Sequence, residues 1–237
     1  MNGILYGVGV GIGDPEMMTL KAVRILKESD IIYIPSSDRE GSRAFRIAEA
    51  AVPGINDKEI LGFDIEMSRD GKYLSRKYAE IYASIKENLS EGKIASYITI
   101  GDPSLYSSFS YIAGMAVKDG FDVRMVSGID SFSACAATLN IPLCEGDSEL
   151  HIIPGTADLE RALLLPGTKV ILKCGKNLPR IKENLIGLEK KMKSEGKGLS
   201  VFGVAECGTD EEKVYFGAEQ LPEDNKYMIT IIVRENR

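Results

Sequence analysis

The chain has 237 residues, 44% of them hydrophobic and 27% charged, with 24 glycines and 9 prolines; this balance excludes a disordered or fibrous protein. A net charge of −6 excludes a nucleic-acid binder that relies on bulk charge, and any anionic small molecule would need a local cluster of cations. Cys135, Cys144, Cys174 and Cys207 lie far apart without a Cys-x-x-Cys pair, and His151 is the single histidine, so no protein-bound metal is expected. The start of the chain lacks a signal-peptide pattern and no apolar run reaches bilayer length, which predicts a cytoplasmic protein with reduced thiols and no membrane partner.

In chain order, Ile4 to Val10 reads as a buried strand, Met17 to Glu28 as a helix, Ile31 to Ile34 as a strand and Arg43 to Ala51 as a helix. Tyr78, Ile81, Tyr82, Ile85 and Leu89 recur at helical spacing within Arg76 to Leu89. The strand Ile94 to Ile100, the helix Tyr106 to Lys118 and the strand Asp122 to Val126 follow. This alternation predicts a layered α/β domain with a mostly parallel sheet. Beyond it come a helix at Ser131 to Leu139, strands at His151 to Pro154, Lys169 to Leu172, Ser200 to Val204 and Met228 to Val233, and a helix at Lys176 to Glu195. Lys213 to Phe216 and Tyr227 to Val233, joined by a turn at Pro222 to Asn225, are expected to run antiparallel. A boundary near Gly120 gives two α/β lobes, 1–120 and 121–237, with a ligand cleft between them.

Three glycine-bearing strand ends carry the chemistry. Gly7-Val8-Gly9-Val10-Gly11-Ile12-Gly13-Asp14-Pro15 follows the first strand, but Ile12 and Asp14 stand where a dinucleotide fingerprint needs its third glycine. A commoner nucleotide-binding methyltransferase would want an acidic residue after the second strand, where Pro35-Ser36-Ser37 stands and only Asp38 is near. Gly101-Asp102-Pro103 places a carboxylate at a second strand end, where a simple helix cap is the competing reading. Gly128-Ile129-Asp130-Ser131-Phe132 opens a helix of small residues, which suits close packing against a neighbour or a flat ligand.

Together with Leu20-Lys21-Ala22, Ile141-Pro142-Leu143, Lys173-Cys174-Gly175 and Ala205-Glu206-Cys207-Gly208-Thr209, these motifs resemble the tetrapyrrole methylase family from end to end. Within it, Ser131 to Cys135, Cys144 to Leu150 and Lys173 to Leu178 look most like the members that methylate precorrin-2, or its cobalt form, at carbon 20 in cobalamin biosynthesis. The resemblance implies the class III methyltransferase fold: an N-terminal lobe on the tetrapyrrole side of the cleft, a C-terminal lobe contributing to the S-adenosylmethionine site, and a homodimer without a nucleic-acid partner. It places cofactor contacts on Ile100, Gly101, Asp102, Leu105, Asp130, Ser131, Cys174 and Gly208, and substrate contacts on the loop Gly11, Ile12, Gly13 and Asp14. Two departures from the family pattern are Ile12, where proline is usual, and Asp130, where threonine or serine is common.

Methyl transfer from a sulfonium requires an aligned carbon nucleophile and exclusion of water. The reduced macrocycle's meso carbon is enamine-like, and a nearby carboxylate would stabilise the ring cation or take the departing proton. Asp102 is the first candidate, followed by Tyr227 and Lys176, whereas His151 at a strand start reads as structural. The substrate's many carboxylates call for cations, and Arg39, Arg43 and Arg46 or Lys72, Arg76 and Lys77 are the densest groups in the first lobe. Competing readings are methylation at another ring carbon and a non-catalytic tetrapyrrole or nucleotide carrier.

Overall fold

A computed structural model describes residues 2–65, 70–224 and 228–236. It divides into two compact units, Met1–Asp130 and Ser131–Arg237. In the first, β1 (Ile4–Gly9), β2 (Ile31–Ile34), β3 (Glu59–Gly62), β4 (Ile94–Thr99) and β5 (Asp122–Val126) form a wholly parallel sheet in the order β3-β2-β4-β1-β5. Helices α1 (Leu20–Glu28) and α2 (Arg43–Ala51) bury Ala22, Ile25, Leu26, Phe45 and Ile47 on one face. Helices α3 (Gly71–Ser90) and α4 (Phe109–Lys118) bury Tyr78, Ile85, Leu89 and Ile112 on the other. Cover on both faces explains why β2 is four consecutive buried apolar residues and does not alternate.

The division falls ten residues later than the expected boundary at 120, because β5 pairs with β1 along its whole length and so belongs to the first sheet. The first helix splits into a 3-10 turn at Pro15–Met17 and α1, whose N-terminus is capped by Thr19. Helix α3 begins five residues earlier than periodicity predicts, since Asp70 caps it by accepting from the Lys72 and Tyr73 N–H groups. Helix α4 begins later, at Phe109, because Tyr106 takes a left-handed φ of 49°. The strand β3, as short as β2 but with only Ile60 and Leu61 apolar, lacks the unbroken apolar run that marks β2 in the sequence.

The second unit comprises α5 (Ser131–Thr138), β6 (Leu150–Pro154), α6 (Leu159–Leu163), β7 (Thr168–Leu172), α7 (Leu178–Ser194), β8 (Gly198–Ala205), β9 (Lys213–Phe216) and β10 (Ile229–Asn236). Its sheet runs β6-β7-β10-β8-β9, with β6 and β7 parallel and the other neighbours antiparallel. Helices α6 and α7 set Leu163, Ile181 and Leu185 against Ile171, Val201 and Ile231. Helix α5 meets the opposite face, where Thr230, alternating with Ile229 and Ile231, bonds Ser131.

The expected antiparallel pairing of β9 with β10 is corrected: β8 lies between them, antiparallel to both, so they run in the same direction. Ile231, Ile232 and Val233 are all fully buried, and a strand so apolar gains most at the sheet centre, while β9 with its exposed Lys213 and Phe216 stays at the edge.

Candidate active site

In the first unit β1 and β4 are neighbours, yet the helices that follow them, α1 and α4, cover opposite faces. Such a switch point opens a crevice at the carboxyl ends of the strands. There Gly11 and Gly101 both adopt left-handed φ, 73° and 74°, and the Gly101 N–H donates to the Gly11 carbonyl at 2.7 Å. A Cβ on Gly9 would collide with the Gly101 carbonyl and lie 2.6 Å from the Gly128 nitrogen. The ends of β1, β4 and β5 therefore approach one another at Gly9, Gly101 and Gly128 more closely than a Cβ at Gly9 or Gly128 would allow. Gly7 serves packing instead, since a Cβ there would run into the Phe109 ring.

Asp102 stitches these loops together. One carboxylate oxygen accepts from the Ser104 N–H at 2.8 Å and from the Ser104 hydroxyl; the other accepts from the Gly128 N–H at 3.1 Å. Asp130, at the end of this unit, has its pKa raised by burial and by the charge of Asp102. Ile100 packs on the core and Leu105 is half-buried. Within the glycine loop Ile12 points into the core, and Asp14 accepts from the Glu16 N–H at 2.8 Å to cap the following turn; both side chains thus carry local structural duties.

Arg39 lies in the loop after β2 and Arg43 in the first turn of α2, at the same carboxyl edge, with Arg46 one turn further along. The loop is shaped by Asp38, which accepts from Glu40 and Gly41 N–H groups, and by Asp64, whose carboxyl is held below its usual range by hydrogen bonds from the Ser37 hydroxyl and N–H. Arg76 and Lys77 pair with Glu80 on α3, and Lys72 opens that helix.

The second unit gathers its predicted residues at one sheet edge as well. Ser131 opens α5 and accepts from the Thr230 hydroxyl at 3.1 Å; Cys174 follows β7 and Gly208 follows β8. Lys173 and Glu206, each just after its strand, hold left-handed φ values of 55° and 52°, and Tyr106 does so in the first unit. For non-glycine residues this conformation is costly. Their sequence signal was only a position beside a predicted contact. Burial lowers the Lys173 ammonium pKa, and it pushes the Cys174 thiol up to about 12. Gly155 leaves room for the Cys174 backbone, whose Cα a Cβ would approach to 2.7 Å. Glu212 accepts from the Gly208 N–H at 2.8 Å and from the Thr138 hydroxyl at 3.3 Å, fixing the turn after β8.

Lys176 stands in the 3-10 turn Gly175–Asn177 at this edge. His151 lies in β6 near the opposite end of the sheet, its Nε2 3.1 Å from a Glu149 carboxylate oxygen. Tyr227 falls outside the described residues. Among the described residues no group of three or more His, Cys, Asp or Glu side chains is arranged to hold a metal, and no helix is long and apolar enough to cross a membrane.

The family model for tetrapyrrole (corrin/porphyrin) methylases matches residues 4–221. A probable cobalt-precorrin-2 C(20)-methyltransferase of Methanocaldococcus jannaschii is 38% identical, with 89% of this chain and 92% of that protein covered. A precorrin-2 C(20)-methyltransferase of Sinorhizobium is 29% identical over 93% and 95%. The uroporphyrin-III C-methyltransferase of Thermus thermophilus, solved in complex with S-adenosyl homocysteine, superposes with a TM-score of 0.65 at 19% identity, covering 98% of this chain and 97% of that one.

Proposed function

The chain belongs to the tetrapyrrole methylase family, and from that membership we propose that it transfers a methyl group from S-adenosylmethionine to carbon 20 of precorrin-2 or cobalt-precorrin-2 in cobalamin biosynthesis. The observation that carries this reading is the similarity of nearly the whole chain to C(20)-methyltransferases, combined with a strand-end edge that suits a ligand. Gly101, with its left-handed φ and open space where a Cβ would stand, suits a cofactor held by main-chain groups, and the complex of the Thermus relative supports S-adenosylmethionine as that cofactor.

In this reading Ile100, Gly101, Leu105 and Asp130 receive the cofactor on the first unit, and Ser131, Cys174 and Gly208 on the second. Bound there, S-adenosylmethionine supplies an electrophilic methyl on a sulfonium. Asp102 keeps the loops after β4 and β5 in register through Ser104 and Gly128, and so acts on the reaction by positioning. Arg39 and Arg43 hold peripheral carboxylates of the macrocycle, with Gly11 and Gly13 giving it backbone access; Lys176 lies at the second unit's edge, within the same reading. The enzyme works without a protein-bound metal, as a homodimer in the cytoplasm; the four free thiols fit a reducing compartment.

The test is incubation with S-adenosylmethionine and precorrin-2 or its cobalt form, followed by location of the new methyl by NMR. A methyl at carbon 20 is expected. Transfer to another ring carbon, or cofactor binding without turnover, would overturn the assignment.

A further inference from the structure

Methylation of a meso carbon that keeps its place in the conjugated system has two halves. The methyl arrives as the ring's electron pair forms the new C–C bond and the S–CH3 pair returns to sulfur. The hydrogen on the same carbon must then leave as a proton, its C–H pair going back to the ring. That proton needs an acceptor. Asp102 is poorly suited: its two oxygens are committed to Ser104 and Gly128, and its removal would separate two loops.

Asp130 differs on each count. It stands two residues beyond Gly128 at the edge where β1, β4 and β5 converge, and its carboxylate accepts no hydrogen bond from any described residue. The Asp102 carboxylate is the charged group that faces it, and burial and that charge both favour its protonated form. A partly buried carboxylate with no donor among the described residues, near another negative charge, gains on taking up a proton.

We propose that Asp130 is the acceptor of the carbon-20 proton, and that Asp102 positions it. The inference rests on the carbon-20 reading above. Asp130→Asn removes the acceptor at nearly constant shape, and Asp130→Glu restores a carboxylate one methylene further out. With S-adenosylmethionine affinity measured by calorimetry and single turnovers run at saturating cofactor on precorrin-2 carrying deuterium at carbon 20, Asp130→Asn is expected to act on the chemical step beyond any loss of its cofactor contact. It should slow formation of the methylated product by about 100-fold or more and enlarge the deuterium isotope effect, with partial recovery in Asp130→Glu.

Turnover within threefold of the natural enzyme would overturn the proposal. So would a parallel loss of cofactor affinity and rate with an unchanged isotope effect, which would make Asp130 a cofactor contact alone. If the natural enzyme itself methylates neither precorrin-2 nor its cobalt form at carbon 20, the functional reading fails, and that result is distinct from either outcome for Asp130. A variant that did not fold would be replaced by Asp130→Ser, read by the same isotope effect.

Discussion

Gly128 stands so close to Gly9 that a Cβ on Gly128 would lie 2.8 Å from the Gly9 Cα and collide with the Gly101 carbonyl. Neither neighbour is a flexible side chain, so the strand ends would have to part. Gly128→Ala is expected to cost about 3 kcal/mol of stability in denaturant unfolding and to weaken S-adenosylmethionine binding. Gly114→Ala is the control: it lies in α4 with open space around it and should raise stability by about 0.5–1 kcal/mol.

Arg39 and Arg43 share the carboxyl edge of the first sheet, whereas Arg46 lies a turn further along α2. Arg39→Gln and Arg43→Gln should each raise the KM for the tetrapyrrole by about tenfold, the worth of one charge-assisted hydrogen bond. Arg46→Gln should change it less than threefold, and none should move cofactor affinity. Equal effects at all three positions, measured by initial rates, would refute this placement.

The pKa of Asp130 is raised by folding, so its contribution to stability is present below the unfolded value of 3.8 and is lost as pH rises through the folded value. At neutral pH the ionised group opposes folding through burial and Asp102. Asp130→Asn should therefore raise Tm at pH 7, and the gain should shrink as pH falls toward 3.8; a constant difference across that window would contradict this account.

The Cys207 thiol accepts a hydrogen bond from Cys135, which lowers the pKa of Cys207 and raises that of Cys135. Both are buried, as is Cys174, while Cys144 is partly exposed. Alkylation of the native protein, followed by mass spectrometry, should label Cys144 first and the other three only on unfolding. Cys135→Ala removes the donor and should shift the Cys207 titration upward.

Lys169 is 1% exposed and pairs with Glu235 across β7 and β10. Removing the carboxylate alone leaves a buried ammonium, so Glu235→Gln should cost about 2 kcal/mol, discounted for the partial exposure of Glu235. Lys169→Met, which leaves only that half-exposed carboxylate, should cost less in the same denaturant titration.

Much of this was legible in the sequence. Apolar runs such as Ile31 to Ile34 declare a doubly covered strand, and the glycines at 9, 101 and 128 mark the convergent strand ends. What escaped depended on partners distant in sequence. Nothing near Asp122 tells that it will pair beside Ile4, and nothing near Lys213 tells that β8 will stand between it and β10. The bond from the Gly128 N–H to Asp102, 26 positions away, is likewise invisible to a local reading of Gly101-Asp102-Pro103.

The placement of β10 constrains how the second unit forms. Strands β7 and β8 do not touch as neighbours; each pairs with β10, which is made after both. Their halves of the sheet have no shared ladder until that segment arrives, so nucleation must wait for contacts of long sequence separation, a slow route that exposes unpaired strand edges in the interval. Substitutions in Ile231 to Val233 should accordingly slow refolding, whereas equally destabilising ones in α7 should mainly speed unfolding.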